Sequence, residues 1–122
     1  MEARQFVVDD RSPVPVYAQL CEQVLAAVAR GNARRGEQLP SVRDVAAALG
    51  INPNTVNRAY VELERDGVVE TRRGRGTFVA SGRPRGSQAP RLSEITRRFV
   101  ARASALGYKG TQILDAVRKE IR

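Results

Sequence analysis

The sequence predicts a mainly helical chain with one small β-hairpin, and three observations lead there. Apolar residues recur at three- and four-residue spacing in five separate segments. Only over residues 68 to 80 does the pattern change to a period of two. Glycine or proline sits near most of the junctions between these segments.

Residues 1 to 13 lack periodicity and read as an arm. From Val14 to Arg30, Tyr17, Leu20, Cys21, Val24, Leu25 and Val28 form one apolar stripe, so an amphipathic helix is expected. Pro15 suits its first turn and Gly31 its end. Cys21 lies on the stripe and reads as a buried structural thiol. Arg34-Arg35-Gly36 then form a polar connection.

Ser41 with Asp44 three residues later resembles a capping box, opening a short helix with Val42, Val45, Ala46 and Leu49 inward. Gly50 stops it. Asn52 caps the next helix, Pro53 takes its first position, and Val56, Ala59, Tyr60 and Leu63 form its core face. A short helix, a tight turn with glycine and a second helix are a helix-turn-helix signature. Val68–Arg72 and Thr77–Ala80 read as strands joined by Arg73-Gly74-Arg75-Gly76, a hairpin in the position of a wing. The sequence thus predicts a winged helix-turn-helix over residues 1 to 80, a Gly/Pro/Ser linker over 81 to 90, and a two-helix tail over 91 to 122.

In the tail, Leu92, Ile95, Phe99, Ala103 and Leu106 line one helix, which Gly107 stops, and Ile113, Leu114, Val117 and Ile121 line the other. Two short helices cannot close a core alone, so these faces need the first domain or a second copy. A homodimer joined through Leu92, Ile95, Phe99, Leu106, Ile113, Leu114, Val117 and Ile121 is the expectation.

The chain carries 21 Lys and Arg against 13 Asp and Glu, a net charge of +8 in 122 residues. Nineteen of the basic residues are Arg, and nine fall between Thr71 and Arg102 with Glu94 as the sole acid there. Such a cluster favours a polyanion. With no His and one Cys, a His-containing zinc site, a Ser-His-Asp triad and an internal disulfide are excluded. No cofactor and no metal is expected. No apolar run approaches a membrane span, and Met1 leads into Glu2 and Asp9-Asp10 rather than a signal peptide. The default reading is a soluble cytoplasmic protein.

Pointing the second helix's apolar stripe inward leaves Asn54, Asn57 and Arg58 outside, with Thr55 at the margin. Amides can read adenine in a major groove and Arg can read guanine or hold phosphate. They crowd the N-terminal end, which recognition helices push into the groove. Arg43 would face the same duplex. Arg72, Arg73 and Arg75, with Gly74 and Gly76 to bend the backbone, put cations at the wing tip, suited to phosphates or a narrow minor groove.

These residues carry a family resemblance. Residues 39 to 80, LPSVRDVAAALGINPNTVNRAYVELERDGVVETRRGRGTFVA, resemble the winged DNA-binding domain of GntR-type bacterial regulators, and with the preceding PVYAQL the likeness covers residues 13 to 80. It implies DNA contacts from Arg43, from Asn52, Asn54, Thr55 and Asn57, and from Arg73 and Gly74. Pro53 stands where some members have a contacting Arg, so no donor carries over to it. The short tail resembles the YtrA branch, which implies that the terminal helices pair subunits. One branch of the family carries a pyridoxal-phosphate fold, but Lys109 and Lys119 lie in a 32-residue tail too small for it, so no enzyme is expected. The expectation is a regulator, a repressor of the inverted-repeat type, bound to double-stranded DNA; the alternative is a non-specific architectural binder. Any small-molecule effector is confined to the tail or the subunit interface, and the sequence nominates no pocket for it.

Overall fold

The computed structural model describes residues 1–81 and 90–121, so most of the expected linker lies outside the described residues. The chain divides into two compact units, Met1–Ala89 and Pro90–Arg122. The described residues form five α-helices and one two-stranded antiparallel sheet, the winged-helix arrangement followed by two further helices.

In the first unit, α1 spans Val16–Ala29, α2 Val42–Leu49 and α3 Pro53–Arg65; β1 is Val69–Arg72 and β2 Gly76–Val79. The caps form as the side-chain chemistry requires. Ser41 Oγ accepts from the Asp44 N–H at 3.0 Å, and Asn52 Oδ1 accepts from the Asn54 N–H at 2.8 Å, each meeting a donor that has no partner within its helix. Gly50 ends α2 at φ 66°, a left-handed conformation that side chains resist. Leu20 and Val24 of α1, Val45 of α2, Val56 and Leu63 of α3, and Val69 and Val79 of the hairpin fill one core. Burying each contributes about 1.5–3 kcal/mol.

Three sequence expectations need correction. Residues 1 to 13 are not a free arm. Phe6 is 3% exposed and belongs to the core. Gln19 Oε1 accepts from the Asp9 N–H at 2.9 Å, while its Nε2 donates to the carbonyls of Asp9 at 3.0 Å and Val14 at 2.9 Å. Gln23 likewise exchanges both its amide groups with the backbone of Val7. Two glutamines four apart on α1 therefore hold the preceding chain by side-chain-to-backbone pairing, which leaves no mark on apolar periodicity.

Leu25, expected on the inward stripe, is exposed, because it lies roughly 120° around α1 from the line through Leu20 and Val24. Cys21 is half-buried rather than buried, its Sγ 3.5 Å from the Ala59 carbonyl, and burial together with nearby Glu62, Asp66 and Glu22 raises its pKa.

The connection after α1 also does more than bridge. Gly36 N–H donates to the Val79 carbonyl, Val79 N–H to the Glu37 carbonyl and Leu39 N–H to the Thr77 carbonyl, each at 2.8 Å. Residues 36–39 thus run along β2 and cover its free edge. In the hairpin, Val69 pairs with Val79 and Arg72 with Gly76. Arg75 N–H closes on the Arg72 carbonyl at 2.9 Å, with Gly74 at φ 74°, the geometry of a type II turn.

The second unit is a helical hairpin of α4, Leu92–Ala105, and α5, Gly110–Ile121. Gly107 at φ 98° reverses the chain. The N–H groups of Gly107 and Tyr108 satisfy the carbonyls of Ser104 and Ala103 at 3.0 and 3.1 Å. Of the eight residues expected to join subunits, Ile113 is buried, while the other seven are exposed, Leu106 at 70% and Ile121 at 77%.

Candidate nucleic-acid interface

The outer face of α3 follows from its inner one. With Val56, Ala59, Tyr60 and Leu63 buried, Asn54, Asn57 and Arg58 are exposed and Thr55 is half-buried at the margin. Neither amide side chain of Asn54 and Asn57 has a hydrogen-bond partner among the described residues. Asn52 differs: its Oδ1 is taken by the helix cap, which leaves its amide N–H groups as donors.

Arg43 is exposed in the first turn of α2. The relation of this turn to α3 is fixed by Tyr60, whose buried hydroxyl donates to the Pro40 carbonyl at 2.6 Å. Burial pushes the Tyr60 phenol above its ordinary range, so it stays protonated and remains a donor.

The wing divides its cations. Arg73 and Arg75 flank Gly74 on the turn and are exposed, and their guanidinium groups have no partner among the described residues. Arg72 ends β1, as the sequence predicts, but is not a free cation beside them at the tip. Its guanidinium pairs with Glu70 Oε1 at 2.9 Å and lies 4.2 Å from the Phe78 ring centroid. An ion pair and an aromatic face on the hairpin's own body hold it back from the tip. Arg58 is likewise engaged, its guanidinium carbon 3.8 Å from the centroid of Tyr17 on α1.

Three supports escaped the sequence reading. Glu64 Oε2 accepts from the Thr71 N–H at 2.8 Å, tying β1 to the end of α3. Gln38 Nε2 donates to the Arg75 carbonyl at 2.9 Å, bracing the turn from the residues alongside β2. Tyr17, assigned to the core stripe, also serves the outer face through Arg58. Gln38 and Tyr17 act between elements about forty residues apart and Glu64 between consecutive ones seven residues apart, and only Tyr17 belongs to a pattern that periodicity detects.

In the second unit, Phe99, Ala103, Leu106, Ile113 and Ala116 form an apolar groove of about 440 Å³ between α4 and α5, with Arg102, Tyr108 and Gln112 on its walls. Among the described residues there is no group of three side chains suited to a metal ion, and no helix long and apolar enough to cross a membrane.

Comparison with known proteins bears on this surface. The model of the family described as bacterial regulatory proteins, gntR family, matches residues 16–79. The chain is 47% identical over 73 residues to the HTH-type transcriptional repressor YtrA of Bacillus subtilis (strain 168), covering 60% of this chain and 56% of that protein. It is 36% identical over 110 residues to the uncharacterized HTH-type transcriptional regulator YhcF of the same organism, covering 88% and 91%. Among solved structures, a transcriptional antiterminator from Listeria monocytogenes EGD-e superposes with a TM-score of 0.75 at 30% identity, over 97% of this chain and 90% of that one. YtrA from Sulfolobus acidocaldarius, a GntR-family transcription factor, gives 0.66 at 27%, over 94% and 95%. The AraR DNA-binding domain in complex with operator ORX1 gives 0.55 at 25%, over 61% and 92%.

Proposed function

The chain belongs to the gntR family of bacterial regulatory proteins, and from that premise we propose that it is a repressor that binds an inverted-repeat operator as a homodimer. Its relatives are named as transcriptional regulators, not enzymes. The observation that carries the reading is the N-terminal half of α3. There the amides of Asn54 and Asn57 stand exposed and unpartnered on a helix whose opposite face is entirely buried.

In this reading the start of α3 enters a major groove. Asn54 and Asn57 contact base edges, each pair suited to adenine, with Thr55 and the free amide N–H groups of Asn52 at the margin. Arg43 and the turn residues Arg73, Gly74 and Arg75 hold the phosphates that border the groove. A guanidinium or a backbone N–H there fixes register without carrying sequence information.

One helix in one groove reads too few base pairs to single out a genomic site, which favours a two-fold pair. The uncovered faces of α4 and α5 suit that role. Leu92, Ile95, Phe99 and Leu106 on one helix and Leu114, Val117 and Ile121 on the other would gain cover from the same residues of a second copy.

Selection of bound sequences from random duplex DNA tests the proposal. The expected product is a two-fold repeated site whose binding survives an excess of random competitor. Binding with no preferred site would sink the proposal and leave a non-specific architectural binder.

A further inference from the structure

The contact between Arg58 and Tyr17 joins the outer face of α3 to the first turn of α1. At 3.8 Å from the ring centroid, the guanidinium carbon is too close for an edge approach and must lie against the ring face. Arg58 is exposed, Tyr17 is half-buried, and no carboxylate pairs with Arg58 among the described residues.

We infer that Tyr17 is a positioning residue that holds Arg58 as a phosphate clamp on the flank of α3, and that Arg58 is therefore not a base reader. The inference rests on the reading of α3 as the helix that enters the groove. Sequence periodicity places Arg58 with Asn54 and Asn57, because residues four apart share a face. The ring changes what that face can do. It draws the guanidinium sideways toward α1, away from the N-terminal tip where base edges would lie.

The stack leaves the guanidinium's charge unneutralised and its in-plane N–H groups free, a fork that matches phosphate oxygens. It also removes rotamers from a long side chain before the anion arrives, so less freedom is lost on binding. A lysine would offer the charge without the plane.

The test measures operator affinity of the full chain against salt from 50 to 200 mM, for the parent and for Arg58→Ala, Tyr17→Leu, Tyr17→Phe and the Arg58→Ala/Tyr17→Leu double variant. Loss of one phosphate contact in each subunit removes two from the homodimer and lowers the slope of log affinity on log salt by about 1.8, so the fall in affinity over this range shrinks about twelvefold. Arg58→Ala and Tyr17→Leu should each show this change, Tyr17→Phe should keep the parent slope, and the double variant should match Arg58→Ala alone. Preference among single-base-pair operator variants should stay as in the parent throughout. Tyr17→Met, which fills the site without a ring, serves if the Leu variant folds poorly.

A parent slope in Tyr17→Leu and Tyr17→Met, or an undiminished effect of either in the Arg58→Ala background, overturns the inference. So does relaxed preference at one base pair in Arg58→Ala, which would make Arg58 a reader. A parent protein with no preferred site overturns the operator reading instead, and the same slopes taken on random duplex still judge the clamp.

Discussion

The Tyr60 hydroxyl donates a 2.6 Å hydrogen bond to the Pro40 carbonyl, joining the middle of α3 to the residue that precedes the cap of α2. Ser41, the cap itself, follows directly, and Arg43 stands two residues further on. One turn ahead of Tyr60 on α3 is Asn57. This buried phenol thus adds a polar tie to the apolar packing of α2 on α3, the two elements that carry these exposed side chains.

Tyr60→Phe keeps the ring in the core and removes only that bond. The Pro40 carbonyl loses its donor in a half-buried position, so unfolding free energy should fall by about 1–3 kcal/mol. Urea denaturation with an unchanged slope would show it. A variant as stable as the parent would mean that water replaces the hydroxyl at Pro40.

The same residue sets an alkaline limit. Burial raises the Tyr60 phenol above its ordinary value of 10.0, so above that pH the folded chain holds a proton that the unfolded chain has lost. Stability from this group is fully present below pH 10 and is lost as pH rises further, toward the folded value. The parent should lose thermal stability above pH 10 more steeply than Tyr60→Phe. Parallel curves would show that the phenol does not couple to folding.

Gln19 anchors the chain that precedes α1. Gln19→Leu removes an acceptor for Asp9 N–H and a donor to two carbonyls at the edge of the core. Each group that water cannot reach then costs about 1–3 kcal/mol. Gln23→Ala, whose partners at Val7 lie in the open, should be far milder. Chemical denaturation of both variants, with proteolysis of residues 1–13 as a second readout, checks the difference. Equal costs would place the anchoring in Phe6 and not in the amides.

Most of the first unit was legible because its signals are local. Ser41 and Asn52 cap helices through neighbours two or three residues away, Gly50 takes the left-handed bend, and the α3 stripe fixes by subtraction which side chains face out. What was hidden is long-range and polar. Gln19 and Gln23 pair with backbone that has no period, and residues 36–39 pair with β2 across some forty residues of chain; Arg72 is withdrawn locally, by Glu70 and Phe78 on its own hairpin. Charge counting gave three wing cations equal standing. It could not see that one of them has partners on its own hairpin.

The apolar faces of the tail give a test of assembly. Phe99 on α4 and Leu106 at its C-terminal cap are both exposed, so glutamate at either position is readily hydrated in a lone chain. Inside a subunit interface the same carboxylate would lose its water without a partner, a penalty of several kcal/mol. Phe99→Glu/Leu106→Glu should sediment as a monomer, with thermal unfolding of the winged unit unchanged. A double variant that stays dimeric would place the interface elsewhere.

The wing is where position decides between anchoring and shape readout. Arg73 and Arg75 are exposed on the turn that Gly74 bends, whereas Arg72 is paired to Glu70 Oε1 at 2.9 Å. Two free cations on each of two subunits should each displace about one counterion, so Arg73→Ala/Arg75→Ala should lower the salt slope of operator binding by the homodimer by about 3.6. Preference among major-groove operator variants should survive, since Asn54 and Asn57 are untouched. Arg72→Ala should change the slope much less and act by loosening the hairpin, because it leaves Glu70 unpaired and Phe78 uncovered. If one turn Arg instead enters a minor groove, preference would shift at A·T-rich positions flanking the half-sites while the slope moves less. Anchoring is the expected outcome, because two guanidinium groups either side of a single glycine cannot both fit one narrow groove. Affinity against salt and affinity across flanking sequences, measured on the double variant, separate the two. If neither changes, the turn is a solvated hairpin and takes no part in binding.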